Sequence, residues 1–287
     1  AHRWAELLAG EGRLEPEWLP FDHPLWIVYS SGTTGLPKAL VHGHGGIVMV
    51  GAASRKLGDV GCSYAPNSLG ERFHWYSTTG WVMWNSQVSG LLDGATICLY
   101  DGSPAGAKDA PDWSVLWRFA ARHRVTYFGA GAAFYAGCMK AGVDLSTCGD
   151  LSRIRALGST GSPLSEDVQR WGTAQFARLG TPDIWWNNIS GGTDFCGVFI
   201  GSHRELPQQP GRLACRQLGS AVEAWNEAGE PVIDEVGELV CTRPLPSMPL
   251  YLWGDTGNAR YLSSYFDVYP GIWRHGDWVR IHPDGSC

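Results

Sequence analysis

Between residues 25 and about 200, short apolar runs rich in β-branched and aromatic residues alternate with text of helical period. LWIVYS (25–30) reads as a buried strand, followed by a Ser/Thr/Gly loop and a helix through GIVMVGAASRKLG (46–58). A helix through VMWNSQVSGLL (82–92) leads into a strand at ATICLY (95–100). WSVLWRFAARH (113–123) puts Val115, Leu116 and Phe119 on one helical face, and VTYFG (125–129) follows as a strand. SRIRALG (152–158) reads as a strand, PLSEDVQRWGTAQFARLG (163–180) as a helix with an acidic start, and DIWWNN (183–188) as a strand. Repeated strand–helix–strand text implies an α/β fold, with a mixed, mostly parallel sheet covered by helices. After about residue 205 the text changes to short strands between Pro/Gly turns, as in PQQPGRL, EAGEPV and GELVCTRP. That pattern predicts an α/β core over 1–205 and a smaller β-rich subdomain, a sheet or distorted barrel, over 206–287.

Composition narrows the partners. The 287 residues are 44% hydrophobic and 17% charged, with 22 Lys plus Arg against 28 Asp plus Glu. The net charge is −6 and no basic run occurs, which argues against nucleic acid, since phosphate backbones need clustered cations. The eight cysteines show no CxxC pair, and most sit in apolar strand-like text, so they read as buried thiols in a reducing, cytoplasmic compartment. His42 and His44 form the one close histidine pair; with no carboxylate or thiol at ligand spacing, they read as loop packing rather than a metal site. No stretch reads as a signal peptide or a membrane span; the run VTYFGAGAAFYAGCM is too short and glycine-rich. The start AHRWAELL and the end HPDGSC both look cut, so the chain is expected to be a fragment of a longer protein.

The densest chemistry lies in YSSGTTGLPK (29–38). Gly32 and Gly35 allow close backbone approach, Ser31, Thr33 and Thr34 offer hydroxyl donors, and Pro37-Lys38 ends the loop rigidly. Only two residues separate Gly32 from Gly35, so this is not the Walker A spacing, and no Gly-x-Ser-x-Gly elbow occurs. What remains is a loop suited to closing around an anion.

YSSGTTGLPK resembles the phosphate-loop signature of the acyl-adenylate-forming enzymes: acyl-CoA synthetases, luciferases and peptide-synthetase adenylation domains. GSTGSPL (158–164) resembles the family's adenine-side turn, and SGGTD (190–194) its aromatic-Gly-x-Thr-Glu motif. GELV (237–240) and RHGDW (274–278) resemble its later signatures, so the likeness runs from residue 25 to the end. Finer text is similar to the acetoacetate-activating subgroup: TTGWVMWN, NNISGGTDFCG, RPLPSMP and the run through RYLSSYFDVYPGIWRHGDW.

The resemblance implies an AMP-forming acid–thiol ligase using ATP, Mg²⁺ and coenzyme A, in lipid and fatty-acid metabolism. By that resemblance, Ser30, Ser31, Gly32, Thr33, Thr34 and Gly35 hold the β- and γ-phosphates, supported by Lys38. Thr193 meets the α-phosphate, and Asp194 stands at the family's usual glutamate position and holds Mg²⁺. Gly161, Ser162 and Pro163 border the adenine, while Asn188, Ile189, Ser190, Gly191 and Gly192 line the nucleotide and acyl pocket. Asp277 accepts from both ribose hydroxyls, a task for an acceptor-only carboxylate. His275 replaces the family's threonine and has no assigned role. Trp81, Trp84, Trp185 and Trp186 are expected in the core and pocket wall. Gly191 stands where acetate-specific relatives carry the tryptophan that closes the acyl pocket, so Gly191→Trp is expected to turn preference from acetoacetate towards acetate. By the same resemblance, the chain is expected to stop before the family's mobile C-terminal domain, and the fragment alone is expected to be inactive. Alternatives are a ligase for acetate or propionate, and a non-catalytic nucleotide-binding module.

Overall fold

The computed structural model describes residues 3–10, 12–13, 15–30, 37–60 and 70–287. After a short helix α1 (Trp4–Leu8), β1 (Pro24–Ser30) pairs antiparallel with β2 (Lys38–Gly43), bringing Ser30 opposite Lys38. Helix α2 (His44–Lys56) follows directly. The strand β2 was not anticipated, and β1 is not the buried strand that its apolar letters suggest. It lies at the edge of a three-stranded sheet, burying Val28 while leaving Leu25, Ile27 and Tyr29 exposed. Period-2 alternation explains this: residues 25, 27 and 29 share the uncovered face.

The α/β region comprises β3 (Arg72–Trp75), α3 (Val82–Ser89), β4 (Thr96–Ile97), α4 (Val115–Arg122) and β5 (Tyr127–Gly131). It continues through α5 (Ala132–Lys140), β6 (Ala156–Thr160), α6 (Glu166–Arg178) and β7 (Trp185–Asn188). These five strands form one parallel sheet in the order β4-β3-β5-β6-β7. Successive residues feed opposite faces. Phe128, Leu157 and Trp186 enter a core with Trp117, Phe134, Tyr135 and Phe176, whereas Tyr127, Ala156 and Trp185 pack with Phe73, Trp75 and Met83. Burial on both faces is why VTYFG reads as an apolar run, whereas β3, RFHW, interleaves Arg72 and His74 and was not anticipated. On α4 the buried residues are Leu116, Trp117 and Ala120, so Val115 and Phe119 flank the buried stripe instead of centring it.

One close approach shapes the second face. Gly129 of β5 and Gly158 of β6 are register partners, and Trp75 lies across them. A Cβ on either glycine would fall 2.1 Å and 2.4 Å from the indole. The flat pair of glycines is what admits the ring.

Three antiparallel sheets complete the molecule. β8 (Ser190–Gly192), β9 (Gly197–Gly201) and β10 (Cys215–Arg216) form one; β11 (Val222–Trp225), β12 (Val236–Cys241) and β14 (Trp273–Arg280) form another. The third is the hairpin sheet, completed when β13 (Tyr251–Leu252) pairs with β2. Helix α7 (Ala259–Tyr265) precedes β14. Between β12 and β14 the register slips: Glu238 faces Trp278, but Val240 faces Arg274. Two extra residues of β14 are thus accommodated in a bulge around His275, Gly276 and Asp277, where Gly276 takes φ +91°. Bulges of this kind re-aim side chains.

Candidate active site

The site forms where the hairpin β1–β2, the turn after β8 and the end of α7 converge. Lys38, at the start of β2, places its Nζ 2.8 Å from Oδ1 of Asp194, and both side chains are largely buried. Ser30 Oγ donates to the same oxygen at 3.1 Å, and the Tyr265 hydroxyl donates to it as well. The Lys38 ammonium also stands 4.4 Å above the Tyr265 ring, which stacks on Trp273 at 3.7 Å. This is a cation held by a carboxylate on one side and a π-face on the other.

Electrostatics keep Asp194 charged. Burial pushes the Asp194 carboxyl up, but hydrogen bonds from Lys38 and Tyr265 and the Lys38 charge outweigh it, and its pKa falls below the usual value. Burial and the Asp194 charge drive the Tyr265 phenol the other way, so it keeps its proton and remains a donor. All three contacts fall on Oδ1 of Asp194, leaving Oδ2 without a partner among the described residues. Among them, too, no group of three or more His, Cys, Asp or Glu is placed to hold a metal ion. Mg²⁺ is commonly held by one or two carboxylates plus substrate phosphates, and a single free carboxylate oxygen fits that mode.

The later motifs meet across β12 and β14. Glu238, buried in GELV, accepts from Arg274 Nε at 3.0 Å and from the Gly276 amide at 3.0 Å. It thereby anchors the bulge that carries Asp277, whose side chain is 58% exposed. His275 is buried beneath it, 3.5 Å from Asp277, with its ring edge-on to Phe195 and Phe199.

A cavity of about 700 Å³ opens beside this cluster. Its walls include Gly161, Ile189, Gly191, Gly192 and Thr193, together with Trp81 and Trp84. Thr160 and Ile189 stand at the carboxyl ends of β6 and β7, where open parallel sheets place their ligands. Gly161 adopts φ +87°, and Trp81 lies 3.5 Å from where its Cβ would be. Ser162 and Pro163 are exposed in the following turn.

The remaining expected residues fall differently. The Asn188 side chain turns from the cavity to Gln169 Oε1 at 3.1 Å, while Ser190 is half-buried in β8 opposite Ile200. Ser31, Gly32, Thr33, Thr34 and Gly35 lie outside the described residues, as does Cys62. Of the tryptophans, Trp185 and Trp186 are core. His42 is a buried strand residue whose Nδ1 pairs with the Ser247 carbonyl at 2.8 Å; burial lowers its pKa to about 4, so it is a neutral imidazole. Gly191 requires a correction. A Cβ there would sit 2.1 Å from the Gly197 carbonyl oxygen, so a side chain must part β8 from β9 before it reaches the cavity. Gly191→Trp therefore cannot act as a simple pocket filler.

Tyr265, Glu238 and His275 were not among the expected site residues. Glu238 and His275 stood inside quoted motifs, and a buried-looking tyrosine in RYLSSYF was the one available hint of Tyr265.

The site thus combines a cavity at the carboxyl edge of a parallel sheet with a buried lysine–carboxylate pair. The chain belongs to the AMP-binding enzyme family, whose model matches residues 3–252. It is 41% identical over 285 residues to acetoacetyl-coenzyme A synthetase of Rhizobium meliloti (strain 1021), covering 98% of this chain and 42% of that relative. Acetoacetyl-CoA synthetase of Gallus gallus is 38% identical over 281 residues, covering 96% of this chain and 40% of the relative. The solved acetoacetyl-CoA synthetase from Streptomyces lividans aligns with a TM-score of 0.88 at 48% identity, over 99% of this chain and 42% of that one. The chain thus spans about two fifths of the length of these relatives.

Proposed function

We propose that the full-length protein activates acetoacetate with ATP, forming acetoacetyl-adenylate and pyrophosphate, and transfers the acyl group to coenzyme A. The observation that carries this reading is the 2.8 Å pairing of Lys38 with Asp194, in a chain whose relatives bear the name acetoacetyl-CoA synthetase. The pairing ties the foot of the hydroxyl-rich loop to the motif expected at the α-phosphate.

In this mechanism the substrate carboxylate attacks the α-phosphorus, and the protein supplies position and preorganised charge. Ser30 to Gly35 would hold the β- and γ-phosphates, while Lys38, anchored by Asp194 and Tyr265, fixes the exit of that loop. The Thr193 hydroxyl donates to the α-phosphate. Mg²⁺, bound through Asp194, would neutralise charge on the phosphoryl oxygens. Gly161, Ser162 and Pro163 border the adenine, and Asp277 accepts from the ribose hydroxyls. Residues 1–205 act as the adenylation core, and 206–287 as the subdomain that brings Tyr265 and Asp277 to it. The seven described cysteines are free thiols, in keeping with the cytoplasm, and the reaction belongs to lipid and fatty-acid metabolism.

Pyrophosphate release by the full-length protein across acetoacetate, acetate, propionate and butyrate tests the reading. Preference for acetoacetate is expected; preference for acetate or propionate would reassign the acid, and no release with any acid would leave a nucleotide-binding module. Asp277→Ala is expected to weaken ATP binding by ~1.5–3 kcal/mol in calorimetry, the range for hydrogen bonds to charged groups.

A further inference from the structure

His275 has contacts on both ring nitrogens, and they differ in kind. The Trp273 indole Nε1–H points at Nδ1 from 3.4 Å, and Nε2 stands 3.5 Å from Oδ2 of Asp277. An indole nitrogen can only donate, so Nδ1 must accept and the imidazole proton sits on Nε2. That leaves the N–H on the nitrogen that faces the Asp277 carboxylate, at ion-pair distance in this structure. The imidazole itself cannot wander: Phe195 and Phe199 meet it edge-on at 5.7 Å and 5.0 Å between centroids. Gly192 closes the fourth side, where a Cβ would lie 2.6 Å from His275 Cε1.

Asp277 is the opposite case. Its side chain is 58% exposed and sits on the bulge of β14, in a segment that Glu238 holds through the backbone. Its rotamer needs a partner if the carboxylate is to face a ligand with both oxygens.

We infer that His275 is a positioning residue, whose Nε2–H orients the Asp277 carboxylate towards the ribose diol of the nucleotide. The inference rests on the ribose reading of Asp277 given above. Burial lowers the His275 pKa despite the Asp277 charge, which acts to raise it, so the neutral donor form is favoured. The same geometry accounts for Gly192: the residue before Thr193 must lack a side chain so that the imidazole can lie against its backbone. His275 touches no reacting atom. It acts through Asp277.

The experiment compares ATP with 2′,3′-dideoxy-ATP, which lacks both ribose hydroxyls, binding to the full-length protein by calorimetry. His275→Asn keeps an acceptor for Trp273 but cannot reach Asp277, whereas His275→Gln places an amide N–H near the Nε2 position. His275→Asn is expected to weaken ATP about fivefold to tenfold and leave dideoxy-ATP unchanged, with His275→Gln restoring most of the loss. Equal weakening of both nucleotides, or no weakening of ATP, would overturn the inference. If Asp277→Ala also left ATP affinity unchanged, the ribose reading itself would fall, a separable outcome. Nitrogen-15 spectra of selectively histidine-labelled wild-type protein provide a check that needs no variant. A proton on Nε2 of His275 is expected, and an Nδ1–H tautomer would refute the assignment.

Discussion

The parallel sheet and the antiparallel sheets solve different problems. Around the first, order comes from apolar contact: Trp117 stacks on Phe128 at 4.4 Å and meets Phe134, Tyr135 and Phe176, all buried. Around the second, an apolar core that includes Phe195, Phe199 and Trp273 is joined at the site by largely buried polar contacts, with Asp194 holding Lys38, Ser30 and Tyr265, and Glu238 holding the bulge of β14. The first arrangement tolerates no loss of volume. The second is expected to tolerate little loss of charge, because each polar group fixes another. Stability and chemistry are therefore expected to fail separately, and substitutions can test that separation.

The largest effect is expected at Trp117→Ala, which empties a buried indole site and should cost ~3–5 kcal/mol in denaturant unfolding. A loss below 1 kcal/mol would show that the aromatic cluster does not dominate the stability of this region. Asp194→Ala should act mainly on chemistry, lowering adenylate formation in the full-length protein ~10²–10³-fold, the range for removing one preorganised electrostatic group. Pyrophosphate exchange and thermal melting together decide it: a melting loss as large as that of Trp117→Ala with intact exchange would reverse the comparison. Gly191→Ala sharpens the boundary between the two regions. Its methyl must displace the Gly197 carbonyl, so ~1–3 kcal/mol of stability is expected to be lost, with activity falling on every acid alike. A clean change of acid preference without destabilisation would show that the residue faces only the cavity. Arg170→Ala sets the floor: its pair with Glu166 on α6 is exposed on both sides, and at most ~0.5 kcal/mol is expected.

Legibility followed the same division. The strands at VTYFG and DIWWNN were readable from their aromatic and β-branched residues, and α6 because it opens on Glu166 and Asp167, whereas β3 was missed because RFHW interleaves Arg72 and His74. β2 was missed because KALVHG is brief and follows the loop without a break in composition, and α7 because RYLSSY carries no amphipathic period. β1 was misjudged as buried because letters alone do not say which face another layer covers. Lys38 and Asp194, which the fold pairs, and Thr193, which lines the cavity, stood in quoted motifs, as did the exposed Asp277. Tyr265 was not, because its partner Asp194 lies 71 residues earlier, and no local spacing encodes such a contact. His275 was visible as an oddity, yet its meaning depends on Trp273, Gly192 and the bulge, which only the folded register brings together.

The platform beneath Trp75 has a consequence for how this sequence can drift. Gly129→Ala alone drives a methyl into the indole, and Trp75→Leu alone leaves a void over two bare glycines. Gly129→Ala or Gly158→Ala joined to Trp75→Leu exchanges volume for volume, so the double change should be milder than the sum of its parts. Residues 75, 129 and 158 thus form one heritable unit spread over three strands, open to paired replacement and closed to single steps.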